Sequence, residues 1–226
     1  MAPFAMKNTK KILNQMFARA YKKLGRQHWW PGETPLEIAV GAVLTQNTAW
    51  TNVEKAIRAL KQKNLISEKK LHTIPAKKLA VLIKPCGYYN IKTKRLKNFI
   101  RFLVEDKRAK IEGLKKTPLA RLRRELLAVN GIGPETADSI LLYALNKPSF
   151  VVDAYTKRIL ERHGIIGKDA EYHEVQDLFA RNIPKKTSLY NEYHALIVAI
   201  GKNFCLSKVT KCAICPLNMF LKTEHV

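Results

Sequence analysis

The sequence contains no apolar run approaching the roughly 18 residues that cross a bilayer, so no transmembrane helix is expected. It has four cysteines in 226 residues, three of them crowded near the C-terminus, which argues against the disulfide frame of a small secreted domain. It is also short of acid. Against 41 Lys and Arg there are 18 Asp and Glu, a formal net charge of +23. An excess of that size points to a polyanionic partner. The basic residues are spread along the chain, which fits a folded basic surface better than a disordered arm. Apolar residues make up 46% of the chain, enough for one large core or two modest ones and too many for disorder.

Met1 to Gly25 is basic and helical in period, with Ile12, Met16, Phe17, Ala20 and Leu24 on one face. A targeting helix would look partly similar. A single Ser/Thr (Thr9) and a direct run into the following pattern favour a first structural helix. His28-Trp29-Trp30-Pro31 reads as a non-helical connector, because proline disfavours helix at the residue before it. Gly32-Glu33-Thr34-Pro35 starts a helix through Leu36, Ala39, Val40, Val43 and Leu44. It ends in Thr45-Gln46-Asn47-Thr48-Ala49-Trp50, with Thr48 a candidate cap for a helix over Val53 to Leu60. A further helix follows Pro75, then Pro85-Cys86-Gly87-Tyr88-Tyr89-Asn90, with Cys86 expected to be buried and inert. Lys92, Lys94, Arg95 and Lys97 are candidates for phosphate contacts or for a solvated face. Thr117 and Pro118 fit the cap and first turn of the next helix.

The densest signal runs from Leu126 to Asp153. Leu126 and Leu127 end one helical pattern, and Ala137, Ile140, Leu141 and Ala144 share one face of another. Between them stands Asn130-Gly131-Ile132-Gly133-Pro134. The glycines permit the tight reversal and clear side chains away, so that backbone N–H groups can meet an anion. Pro134 suits the first helical turn, where its missing N–H is not needed. Beyond Pro148, the apolar run Phe150-Val151-Val152 ends on Asp153, a candidate N-cap. Lys157 and Arg158, one turn on, could hold that carboxylate ionised.

A helix-hairpin-helix of this form, followed by a Gly/Pro-rich link and an Asp, resembles the endonuclease III superfamily of DNA base-excision glycosylases. The resemblance covers about residues 30 to 220. It implies an all-α fold of two helical domains with a DNA-binding cleft between them: a helical barrel with the hairpin over 33–147, and 1–32 plus 148–226 as the second domain. It implies that Asn130, Gly131, Ile132 and Gly133 grip DNA, with a monovalent cation on the hairpin carbonyls. It implies that Gln46 fills the gap left by an extruded nucleotide, that Tyr88 wedges into the stack, and that Asp153 both caps its helix and serves the reaction. Bifunctional members carry a Lys two residues after the last hairpin Gly. Glu135 stands there, and a carboxylate cannot form an imine.

Trp-Trp-Pro together with an aromatic at Trp50 is similar to the 3-methyladenine branch of that superfamily. The matching residues for sandwiching the base are Trp29 and Trp50, with Trp30 and Pro31 beside them. A hydrophobic anchor is the other reading of the Trp pair. Stacking a cationic 3-methylated adenine on an indole is favourable by about 0.5–2 kcal/mol per good contact. No acid is evident beside the tryptophans, which suits a base that is already a good leaving group. The spacing Cys205-x6-Cys212-x2-Cys215 resembles the first three ligands of the family's [4Fe–4S] loop, but Leu221 occupies the fourth place. Three thiolates could hold a labile cluster, completed by His225 or an external thiol. Cys3His zinc with His225 is another option, and a loop that has lost or weakened its cluster is the reading adopted.

These readings converge on a monofunctional, intracellular glycosylase of the cytoplasm or nucleoid. It would act as a monomer on damaged double-stranded DNA and need no cofactor for its chemistry. The alternatives are a glycosylase for an oxidised or mismatched base, and a DNA-binding module without chemistry.

Overall fold

A computed structural model describes residues 6–221, with side chains from Thr9 onward. The described residues form α-helices joined by short 3₁₀ and π turns, with no β-strand beyond an isolated bridge between Cys205 and Thr210. None of these helices is long and apolar enough to cross a membrane. The chain divides into two compact units, Pro31–Ser149 and Met1–Trp30 with Phe150–Val226.

In the first unit α2 (Pro35–Leu44) is the hub. Leu36, Ala39, Val40, Ala42, Val43 and Leu44 are all buried, so the helix is apolar nearly all round, as a helix enclosed by others must be. Thr34 caps it, accepting from the Glu37 N–H at 3.1 Å. Around it pack α3 (Trp50–Gln62), α6 (Tyr89–Arg101), α8 (Pro134–Ser139) and the π turn Ile140–Ala144 that prolongs α8. The short α4 (Glu68–Thr73) and α5 (Ala76–Leu82) lie against α6. The helix before the hairpin, α7 (Leu119–Ala128), is clamped to α8 by an ion pair to the buried Asp138. Arg123 donates to both oxygens of Asp138, at 2.8 and 2.9 Å, and Ser149 donates to the same carboxylate.

Two capping expectations change in this unit. Pro118 itself occupies the N-cap of α7, with Thr117 one residue outside. Thr48 does not cap α3, whose N-cap is Ala49. Its hydroxyl instead donates to the Cys86 carbonyl at 2.7 Å, drawn there by a buried cation described below.

The second unit packs α1 (Met6–Leu24), α9 (Ala154–Arg162), α10 (Tyr172–Asn182) and α11 (Thr187–Asn203). The described buried face of α1 is Leu13, Met16 and Ala20, while Ile12 and Phe17 are half-buried. Met1 to Ala5 lie outside the described residues. The core is aromatic: Phe150 stacks on Phe179 at 3.7 Å between centroids, and Tyr190 and Tyr193 meet them edge-on. Tyr193 donates its hydroxyl to the Leu13 carbonyl at 2.7 Å, which ties α11 to α1. Gly201 is required where α9 crosses α11, since a Cβ there would sit 2.3 Å from the Tyr155 ring.

Candidate functional site

The hairpin forms as its residue types dictate. Gly131 takes φ +94°, and a Cβ on it would lie 2.3 Å from Cγ of Arg95, so both conformation and contact demand glycine. Ile132 is buried and anchors the turn, its N–H bonding the Val129 carbonyl at 3.0 Å. A Cβ on Gly133 would meet no heavy atom within 4 Å, so that side of the backbone is open. Pro134 is the first residue of α8, and Glu135 is exposed in the same turn. Asn130 is exposed, and its carbonyl accepts the Asn98 amide at 3.0 Å. The Gly131 carbonyl accepts the Gln46 amide at 3.0 Å. A monovalent cation on these oxygens would have to share them with both donors.

Gln46 therefore sits against the hairpin. Its Nε2 also donates to Thr136 Oγ1 at 2.9 Å, and its Oε1 accepts from Arg95 at 2.5 Å. Entry into a duplex gap would exchange these bonds for new ones. Tyr88 is 73% exposed with φ +44°, at the N-cap of α6. Its ring is thus presented to solvent, as a wedge would need.

The basic run on α6 departs from its expected use. Only Lys94 is freely exposed. Lys92 is 1% exposed, its ammonium donating to the carbonyls of Leu44 and Cys86, each at 2.8 Å, and to the Thr48 hydroxyl. Lys97 donates to the carbonyls of Leu71, His72 and Ile74 and closes the end of α4. Neither ammonium is available to a phosphate. Cys86 is buried as expected, and burial pushes its thiol up, away from reactivity.

Trp50 is the first residue of α3, and its indole N–H donates to Glu54 at 2.7 Å. This corrects the expectation that no acid stands beside the tryptophans. One helical turn brings position 54 back over position 50, a signal the sequence carried. Trp50 and Pro31 line a cleft of about 420 Å³ with Glu33, Glu37, Glu54 and Lys61. Lys61 pairs with Glu33 at 2.6 Å and Glu37 at 3.3 Å. Trp29 and Trp30, in the other unit, are half-buried with their rings edge-on at 5.5 Å, and the Lys202 ammonium lies 5.7 Å from the Trp29 ring centre.

Asp153 is the N-cap of α9. Its Oδ1 accepts from the Thr156 N–H at 2.7 Å and the Thr156 hydroxyl at 2.8 Å. Its Oδ2 faces His194 Nε2 at 3.5 Å. Burial alone would push this carboxyl up. The His194 charge and the Thr156 bonds outweigh it and hold the group below the ordinary carboxylate value. The cations expected to do this are elsewhere: Lys157 donates to the Ala170 carbonyl at 2.7 Å, and Arg158 to the carbonyls of Cys205 and Gly201.

Cys205, Cys212 and Cys215 line one small cavity with Arg162, His163 and Leu221. Cys205 Sγ accepts from Arg162, and burial pushes the Cys215 thiol up, toward the protonated form. Among the described residues, no three His, Cys, Asp or Glu side chains are grouped as metal ligands would be. His225 lies outside the described residues. With Leu221 in the fourth place, this donor set does not supply four thiolates for a cluster.

A helical chain with a helix-hairpin-helix turn and, after it, a carboxylate at a helix N-cap held below its ordinary pKa defines the class of helix-hairpin-helix proteins. The chain belongs to the HhH-GPD superfamily of base excision DNA repair proteins, whose family model matches residues 40–185. It is 50% identical over 212 residues to a candidate DNA repair glycosylase of Methanocaldococcus jannaschii, covering 91% of this chain and 96% of that protein. It is 31% identical to the H. pylori 3-methyladenine DNA glycosylase solved with 1,N6-ethenoadenine, with a TM-score of 0.74 over 86% of this chain and 97% of that one. A trapped endonuclease III–DNA covalent intermediate shares the fold, with a TM-score of 0.81 at 22% identity over 97% of this chain and 96% of that one.

Proposed function

We propose that this DNA repair glycosylase is monofunctional, extrudes an alkylated purine such as 3-methyladenine from duplex DNA, and hydrolyses its N-glycosidic bond. The observation that carries the reading is Asp153, a half-buried N-cap carboxylate that the Thr156 donors and His194 hold below its ordinary pKa. The hairpin amides hold a phosphate, Tyr88 enters the stack, and the indole of Trp50 takes one face of the base. Trp29 is the other aromatic assigned to the base. As the C1′–N bond breaks, its electron pair goes to the departing base. A cationic methylpurine leaves neutral and needs no proton. Asp153 stabilises the oxocarbenium-like sugar and takes a proton from the water that adds to C1′. The likeness to the H. pylori enzyme and the carboxylates around Trp50 support a cationic base.

The lyase route lacks its amine: Glu135 holds the usual position, and the Lys157 ammonium is engaged by Ala170. Base release from methylated duplex DNA, resolved by chromatography, tests the reading. Wild type should release 3-methyladenine, Asp153→Asn should not, and borohydride should trap no covalent complex on abasic DNA. Tight DNA binding without methylpurine release would move the substrate to another lesion. Glu54 gives a specific reason to include neutral bases in that assay, since its carboxylate could accept a hydrogen bond from a base edge.

A further inference from the structure

Lys92 is the least expected side chain in the fold. It is a fully buried cation on a helix otherwise committed to the core through Leu96, Phe99 and Ile100. Its three bonding partners are two main-chain carbonyls and a hydroxyl. An ammonium taken out of water is tolerated only where such oxygens replace its hydration. The oxygens come from two separate segments. Leu44 and Thr48 bracket Gln46, while Cys86 stands two residues before Tyr88. Thr48 closes the ring, its single hydroxyl proton donated to Cys86 O at 2.7 Å, with the Gln46 carbonyl 3.2 Å away. The same face of α6 then reaches the hairpin, through Arg95 on Gln46 and Asn98 on Asn130.

We propose that Lys92 and Thr48 are positioning residues that lock the Gln46 loop to the Tyr88 turn, so that gap-filler and wedge enter the duplex as one unit. This rests on the base-excision reading above and adds to it what sets the register of the two inserting side chains. Both loop tips carry residues in the left-handed region, Asn47 at φ +50° and Tyr88 at φ +44°. Such conformations persist only where the surroundings hold them. The buried ammonium and its ring of oxygens are that hold.

The test compares binding of the full chain to a duplex carrying a tetrahydrofuran abasic-site analogue with binding to the same duplex intact. This probe does not depend on which base is excised. Thr48→Val, which cuts the loop-to-turn bond and leaves Lys92 two carbonyls, should reduce the preference for the abasic duplex about tenfold. Lys92→Met should do the same. Affinity for intact DNA and its salt dependence should not change, because neither side chain reaches a phosphate. In a Gln46→Ala, Tyr88→Ala background Thr48→Val should have no further effect, since it acts through those two residues. If Lys92→Met fails to fold, Thr48→Val decides. An unchanged preference in Thr48→Val, an equal fall for both duplexes, or the same loss in the double-alanine background overturns the proposal. A wild-type protein with no preference for the abasic duplex instead overturns the base-excision reading itself.

Discussion

Asp153 has two jobs, and substitution separates them. As N-cap it satisfies the Thr156 N–H and hydroxyl through one oxygen, Oδ1. As the proposed reacting group it needs charge, which the second oxygen shares with His194 at 3.5 Å. Asp153→Asn keeps an oxygen in the capping place and removes the charge. Asparagine caps about as well as aspartate, so folding stability should shift by less than about 1 kcal/mol. Asp153→Ala removes the cap and leaves the Thr156 donors to be satisfied elsewhere, at about 0.5–2 kcal/mol. At roughly 2–4 °C per kcal/mol for a chain of this size, thermal melting resolves the two. Losing one oriented electrostatic group at the reacting centre costs about 3–4 kcal/mol of barrier, or 10²–10³ in rate. Single-turnover base release at saturating enzyme should therefore fall at least a hundredfold in both variants, while only the alanine variant melts earlier. The reasoning fails if Asp153→Asn releases base at the wild-type rate. It also fails if activity in the two variants follows their melting temperatures, which would reduce Asp153 to a cap.

His194→Gln should move the acid limb of base release to higher pH. Without that imidazole, burial dominates and pushes the Asp153 carboxyl up. In the wild type the depressed carboxyl contributes stability above the ordinary carboxylate pKa that is lost as pH falls through its folded value, so acid unfolding of His194→Gln should begin at higher pH. Glu54→Gln should weaken excision of a cationic methylpurine several-fold more than that of a neutral base. The carboxylate on the indole N–H enriches the Trp50 ring, and a neutral amide would not. Competition between the two substrates reads the ratio directly, and an unchanged ratio would remove Glu54 from recognition.

The parts of the site legible in the sequence are those set by neighbours in the chain. Gly131, Pro134 and the cap at Asp153 follow from local backbone rules, and the enclosed α2 follows from composition alone. The parts that misled are long-range. Asp153 is held ionised by His194, 41 positions along the chain, and no spacing rule reaches that far. The expectation for Lys157 applied helical spacing to an N-cap, whose extended backbone turns its side chain back onto its own helix. Lys92 could have been read correctly. It lies four residues before Leu96 and seven before Phe99, on the buried stripe of α6, and charge alone suggested otherwise.

The same error would apply to the net charge of +23 taken as a measure of grip on DNA. With 18 acids to serve 41 cations, salt bridges cannot occupy most of the basic side chains. Several are spent on main-chain carbonyls at helix ends and turns. Lys92 and Lys97 do this on α6, Lys147 bonds the carbonyls of Lys115 and Thr117, and Lys157, Arg158 and Arg162 hold those of Ala170, Gly201, Cys205, Leu206 and Ser207. Helix C-termini leave such carbonyls without partners and carry partial negative charge, so a cation is the natural donor in an acid-poor chain. These groups release no counterions when DNA binds. The salt dependence of binding should therefore report only the exposed cations, at about 0.9 per phosphate contact. Lys94→Ala should lower that slope by no more than about one, whereas Lys97→Ala should lower stability and leave the slope unchanged.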